Sequence, residues 1–407
     1  MLRRASTTSI WPLGEGAQGR QFAIANEASG QVFLADAATA ALVDRLDGDT
    51  ALEHAASGAG IGAADLEDVL TRLLRHGLVT APGQTQRTPQ PRRPFEARLL
   101  FWRMDLLDIG PTARAVAPVM AGLFAPLGVA LWSMIVAVAL VGLAAEREVV
   151  LAALAALPAL GWREALGMLL AFALLKAVHE LGHAVALIRA AAGEGVPLGP
   201  IRAGIAFFAL VPFPYTDATA AWKLRSRWRR AGVGLAGVFV ESWIAAAVAI
   251  LMLQIAPGPL QTFLAQILVV AGLSTLLFNL NPLVRLDGYY VLCDLARQPN
   301  LATRATLAAR ETALGLLGAD RADERRGDGR GPGFIAYWLL SYAYRWAIFA
   351  GIFWLAYGID PRLAWGVAAL ALSLLVVRPL IGMATTAHQR GIGSRRLVLG
   401  FGVLAAS

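Results

Sequence analysis

The chain has 407 residues, of which 57% are hydrophobic and 16% charged, with a mean hydropathy of +0.57. Soluble domains carry about 25% charged residues, so a wholly soluble protein is excluded and a membrane protein with some soluble mass is implied. The formal charge of +8 comes almost wholly from arginine, with no basic patch interleaved with stacking aromatics, which excludes nucleic acid and points to anionic lipid.

Residues 1–17 lack an apolar core of the kind a signal peptide needs, so no cleaved leader is expected. Residues 1–80 read as a small soluble α+β domain of winged-helix-like pattern. Strands are expected at 21–24 and 31–34, joined by a turn at 26–30. Asp36 can cap a helix running to Leu46, a second helix covers 51–56, and a third covers 63–75. The third puts Leu66, Val69, Leu70, Leu73 and Leu74 on one stripe and stops at Gly77; Leu78 and Val79 can return as a strand. His54 and His76 read as surface residues. Residues 81–110 form a basic linker, whose 81–94 portion carries four prolines with Arg87, Arg92 and Arg93 and cannot pack a core.

From 111 to 407 the chain reads as a membrane domain, mostly α and built as a six-span helical bundle. Residues 111–124 are expected at the interface. Spans are expected at 126–145, 165–188, 231–255, 263–282, 334–357 and 363–383, each near the roughly 20 apolar residues that cross a bilayer. The apolar stretches 149–160 and 397–406 are too short to cross. Arginines crowd residues 1–114, 202–230, 297–330 and 378–396, whereas loops 146–163, 256–262 and 358–362 carry few. Both termini in the cytoplasm satisfy that bias. Arg345, in the fifth span, calls for a partner or a polar cavity. Cys293, the single cysteine, excludes disulfides and a Cys-rich metal site and reads as a small buried hydrophobe.

The second span holds His179–Glu180–Leu181–Gly182–His183, an H-E-x-x-H pattern, with Lys176 one turn before it. Residues four apart share a helix face, so two imidazoles can meet one ion. Glu180 beside them is placed to act as a base, the arrangement of a zinc metallopeptidase. Ionisable groups within an apolar span are expensive, which marks them as functional. A catalytic zinc usually takes three protein ligands and a water. The third ligand is expected to be Asp287, after the fourth span, where Asn281–Pro282 breaks the helix and Gly288 permits a turn. Glu241 follows Gly232, Gly234 and Gly237 in the third span; it is expected to orient a ligand or water of the metal site, or to bond a neighbouring helix. Asn279 is a similar candidate. The proline-interrupted segment 199–216, with Phe208, Pro212 and Pro214, is a candidate edge strand for pairing with a substrate.

These residues resemble the site-2 protease family of intramembrane zinc metalloproteases. The resemblance rests on the H-E-x-x-H with Asn279, Pro282 and Leu286–Asp287–Gly288. It is closest to the bacterial branch of peptide zinc metalloproteases, through Val211–Pro212–Phe213–Pro214–Tyr215–Thr216–Asp217, Gly237–Val238–Phe239–Val240–Glu241 and Arg285–Leu286–Asp287–Gly288–Tyr289–Tyr290. It covers about residues 165–295 and departs from the broader family at Val284 and Arg285, which bears on substrate handling. It implies one Zn2+ per chain on His179, His183 and Asp287, with Glu180 as general base. It also implies a multi-pass protein of the bacterial inner membrane acting on a peptide or membrane-anchored substrate. The segments 30–34, 42–48 and 73–79 resemble the peptide-recognition domains of the pyrroloquinoline quinone biosynthesis protein D type. That implies a leader-peptide ligand and partners in peptide maturation or export. Two other readings stand beside this one: a catalytically silent peptide-binding subunit of such a system, and a membrane metallopeptidase of another type. Intact Glu180 argues against the first and Asp287–Gly288 after Asn281–Pro282 against the second. A zinc transporter lacks ligands along the other spans.

Overall fold

The computed structural model describes residues 2–16, 19–26, 31–80, 101–157, 161–208, 211–316 and 331–389. The expected linker at 81–94, most of the turn at 26–30 and the apolar stretch at 397–406 lie outside them. The chain divides into two compact units, Met1–Leu280 with Leu286–Arg297, and Asn281–Arg285 with Gln298–Ser407.

The first unit begins with two short antiparallel partners, β1 (Arg3–Arg4) and β5 (Val79–Thr80), which tie the start of the soluble domain to its end. Between them, β2 (Thr8–Gly16), β3 (Gly19–Asn26) and β4 (Gln31–Asp36) form an antiparallel meander in that order. The Asp36 side chain then accepts from the Thr39 backbone N–H at 2.7 Å and starts α1 (Ala37–Arg45). Two further helices follow, α2 (Leu52–Gly58) and α3 (Ala63–Arg75). The expected leucine stripe of α3 packs on Ile24, Leu42, Val43 and Leu46, the core of this domain. Gly77 takes a φ of +64° after α3, a left-handed turn that suits glycine. β3 and β4 match the expected strands; β1 and β2 are additional, and β2 is hard to foresee because its register slips between Pro12 and Gly14.

The membrane part of this unit contains α4 (Gly110–Ala121), α5 (Pro126–Ala145), α6 (Arg147–Ala156) and α7 (Trp162–Ala192). After the strands described below come a 3-10 turn at Thr219–Lys223, α8 (Arg227–Gln254) and α9 (Pro259–Ser274), which ends in a π turn at Thr275–Asn279. α10 (Asp287–Leu295) closes the unit. The strands are β6 (Phe101–Asp108), β7 (Arg202–Phe208) and β8 (Val211–Thr216), an antiparallel sheet in that order. The β2–β3–β4 sheet lies against the Thr219–Lys223 turn that follows β8.

The second unit holds α11 (Leu301–Leu316), α12 (Pro332–Ile359), α13 (Pro361–Leu372) and α14 (Arg378–Gln389), the last two joined by a π turn at Ser373–Val377. The loop 281–285 belongs to this unit, where Tyr337 donates its hydroxyl to the Pro282 carbonyl at 2.8 Å. Arg345 finds a local partner, donating Nε–H to the Ser341 carbonyl at 3.1 Å.

Among the described residues, six helices are long and apolar enough to cross a membrane: Pro126–Ala145, Trp162–Ala192, Arg227–Gln254, Pro259–Asn279, Pro332–Ile359 and Pro361–His388. They contain the expected spans, apart from a residue at the C-terminal end of the third and the Asn-Pro break that ends the fourth early. Leu127 in α5 and Trp354 in α12 are 81% and 73% exposed, which suits side chains facing hydrocarbon and not water. α7 packs against α8 in the first unit. At Gly182 a side-chain carbon would lie 2.9 Å from the Ala236 carbonyl oxygen, so glycine sets the approach of these two helices.

Candidate metal centre

His179 and His183 project from one face of α7, where they are 2% and 6% exposed. Asp287 reaches them from the first residue of α10. Two local features bring it there. The π turn at Thr275–Asn279 and the Asn-Pro step end the fourth span, and Gly288 lets α10 fold back against that end. A carbon added at Gly288 would lie 3.0 Å from the Asn279 carbonyl oxygen and closer still to Leu280.

The three side chains converge tightly. His179 Nε2 lies 3.0 Å from Asp287 Oδ2 and 3.1 Å from His183 Nε2, and His183 Nε2 lies 3.4 Å from Asp287 Oδ2. Ligand atoms about 2.0–2.1 Å from a tetrahedral ion are roughly 3.3 Å apart, so this triangle has the size of one tetrahedral face.

The outer nitrogens fix the proton positions. His183 Nδ1 lies 2.7 Å from the Val233 carbonyl, which only accepts, so Nδ1 carries the hydrogen. His179 Nδ1 lies 2.7 Å from Glu241 Oε2, in a carboxylate that already accepts from Lys176 Nζ, at 2.9 Å to each oxygen, and from Thr275 Oγ1 at 2.8 Å. With both imidazoles neutral, the Nε2 atoms present lone pairs to each other and to the Asp287 oxygen. Three acceptors placed in this way can be satisfied together by a shared cation. Together His179, His183 and Asp287 form a group that can hold a metal ion.

Gly237 on α8 faces this group. A carbon added there would lie 2.5 Å from His183 Nε2 and collide with His179 as well. Glu180, next to His179 on α7, is within electrostatic reach of His183, His179 and Asp287, and the Thr216 hydroxyl at the end of β8 donates to its backbone carbonyl at 3.3 Å.

β8 ends beside this centre. No further strand pairs with it among the described residues. Pro212 and Pro214 lack N–H groups, so the ladder to β7 is carried by the odd-numbered residues, a pattern continued when Asp217 donates to the Arg202 carbonyl at 2.7 Å. The outer edge thus presents the Pro212 and Pro214 carbonyls without donors at those positions. Phe208 pairs with Val211 at the opposite end of this hairpin; the side chains of Phe208 and Pro212 lie outside the described residues. Asn279 sits at the end of the fourth span, and its carbonyl backs Gly288. His388 is exposed on α14 and joins no metal group among the described residues, and His76 packs on Phe33.

Sequence reasoning did not foresee the Thr275 and Val233 contacts, Gly237 as a wall of the site, or the Thr216 tether. The first two lie on other helices, and no periodicity within α7 reports them. Comparison with protein-family models, with curated proteins and with solved structures found no match.

Proposed function

We propose that this chain is an intramembrane zinc endopeptidase of the site-2 protease kind. The observation that carries the reading is the convergence of three acceptor atoms, 3.0–3.4 Å apart, beside an intact Glu180 within a membrane helix. His179, His183 and Asp287 would hold the ion. Bound there, zinc would supply an activated water near neutral pH and polarise a carbonyl. Glu180 takes a proton at its carboxylate and delivers it to the leaving amine. Glu241 and the Val233 carbonyl keep both imidazoles in the tautomer that leaves Nε2 free.

The substrate is a peptide or a membrane-anchored segment. It lies extended along the outer edge of β8, with its N–H groups on the Pro212 and Pro214 carbonyls, which holds its backbone unwound for attack. The domain of residues 1–80, winged-helix-like in its helices, recognises a leader peptide and presents it, since its sheet rests on the turn following β8. This suits a role in peptide maturation in a bacterial inner membrane, with both termini cytoplasmic.

The test is direct. The purified chain should hold about one zinc and cleave a peptide captured in cells by the Glu180→Gln variant. Glu180→Gln should keep its zinc and lose 10²-fold or more in rate. Normal cleavage by Glu180→Gln would remove the base assignment, and a wild-type chain without zinc would remove the whole reading.

A further inference from the structure

Lys176 lies three residues before His179, on the same face of α7, and is 5% exposed. It reaches no bulk water. Its Nζ lies 2.9 Å from both oxygens of Glu241, itself 3% exposed, and 5.3 Å from the centre of the Phe172 ring. One of those oxygens is the one that holds His179 Nδ1, at 2.7 Å. Lys176, Glu241 and His179 therefore form a single buried chain that ends on the Nε2 facing Asp287.

We propose that Lys176 is a positioning residue for the metal centre, acting through Glu241 on His179. The function is one of charge as well as of geometry. Within an apolar span a lone carboxylate is costly, and among the described residues the basic side chains bonded to Glu241 are Lys176 and His179. Without the ammonium, Glu241 would lose the contact that fixes both of its oxygens at 2.9 Å and could turn away from the Nδ1 hydrogen of His179, releasing the imidazole. With a divalent ion bound, the carboxylates of Asp287, Glu180 and Glu241, the Lys176 ammonium and two neutral imidazoles sum to neutrality. The motif that matters is then Lys176–x–x–His179–Glu180–x–x–His183, completed by Glu241 on α8.

This rests on the metal-centre reading but not on peptidase activity, and its test measures affinity. The full chain is purified in detergent, and zinc affinity is measured by competition with a chromophoric chelator, with cobalt absorption as a report of ligand geometry. Lys176→Met should weaken zinc binding 10–100-fold, the range found when partners of metal-bound histidines are removed. Lys176→Arg, which can meet a carboxylate with two N–H groups, should recover at least tenfold of the loss. The deciding comparison is made in a Glu241→Gln background. There Lys176 is an unpaired buried cation near the ion, so adding Lys176→Met should cost nothing or improve affinity.

Zinc affinity in Lys176→Met within twofold of wild type would overturn the proposal, and so would an equal loss in both backgrounds. Should Lys176→Met fail to accumulate, the Lys176→Met/Glu241→Gln double variant decides: affinity equal to or above Glu241→Gln supports the proposal, and a tenfold weaker one overturns it. A wild-type chain that binds no divalent metal would instead overturn the metal centre itself, a separate result.

Discussion

Gly237 leaves no space for a side chain beside His183: a single added carbon would lie 2.5 Å from Nε2 of that imidazole. The α8 backbone is thus a wall of the metal group, and the helix is held there from both sides. Gly182 on α7 admits the carbonyl of Ala236, the residue next to Gly237, and Gly234 faces Val291 of α10 at a distance of 2.9 Å for an added carbon. These glycines set how closely three helices approach, and through that the size of the ligand triangle.

Gly237→Ala should therefore displace the imidazoles and reduce zinc content to below a tenth of wild type. Gly232→Ala, on the same helix with nothing within 4 Å of the added carbon, is its control. That change should leave zinc content unchanged and be neutral or stabilising by up to about 1 kcal/mol, the helix propensity gain. Elemental analysis of the two purified variants decides; zinc retained by Gly237→Ala would mean the helices part more easily than this packing implies.

The three facing acceptors predict a stability effect from metal alone. A ligand that binds only the folded chain stabilises it by about 4 kcal/mol at a thousand times its dissociation constant. Stripping metal with a chelator should lower the unfolding temperature of the detergent-solubilised chain, and zinc should restore it. Asp287→Ala removes one corner of the triangle, and its unfolding temperature should no longer respond to zinc. A zinc response preserved in Asp287→Ala would place the binding elsewhere.

Much of this was legible in the residues, and the limits have physical causes. Span composition is local, so α5 matches its expected bounds and the other spans differ mainly at their ends. The H-E-x-x-H spacing is local too, and it puts His179 and His183 on one face whatever the tertiary structure. Asp287 could be nominated because Asn281–Pro282 and Gly288 advertise a helix break. Glu241 could be nominated as an orienting group but not matched to one imidazole, and Val233 gave no signal, since Glu241 is 62 residues from His179 and Val233 is 50 from His183, and only packing joins them. β6 escaped notice for a similar reason. Its sequence, Phe101–Asp108, alternates poorly, and it becomes a strand by pairing with β7 nearly a hundred residues later.

Arg230 and Asp294 join α8 to α10 through a 2.6 Å contact between side chains only 12% and 7% exposed. Arg230 also donates to the Leu224 carbonyl at 2.7 Å. Removing one partner of a buried pair strands the other, at about 3–5 kcal/mol. Asp294→Ala should lower stability on that scale. Because α10 carries Asp287 at its start, it should also weaken zinc binding. Thermal unfolding and metal titration of the same preparation check both; intact zinc affinity in a destabilised variant would separate α10 docking from ligand placement.

The soluble domain should respond to mild acid through His76. Its ring lies 4.2 Å from that of Phe33, centre to centre, and burial, aided by the charge on Arg75, pushes its pKa below 6.5. The folded domain thus favours the neutral ring more than the unfolded chain does. The stabilisation this gives is present above about 6.5, the ordinary histidine value, and is lost as pH falls through the lower folded value. Amide exchange in the full chain should show residues 76–80 and their neighbour Asn26, which donates to the His76 and Gly77 carbonyls at 3.2 Å, loosening between pH 7 and pH 5 after correction for intrinsic rates. His76→Phe should keep the ring contact and abolish the pH dependence. Equal loosening in both proteins would assign the effect to another group in that domain.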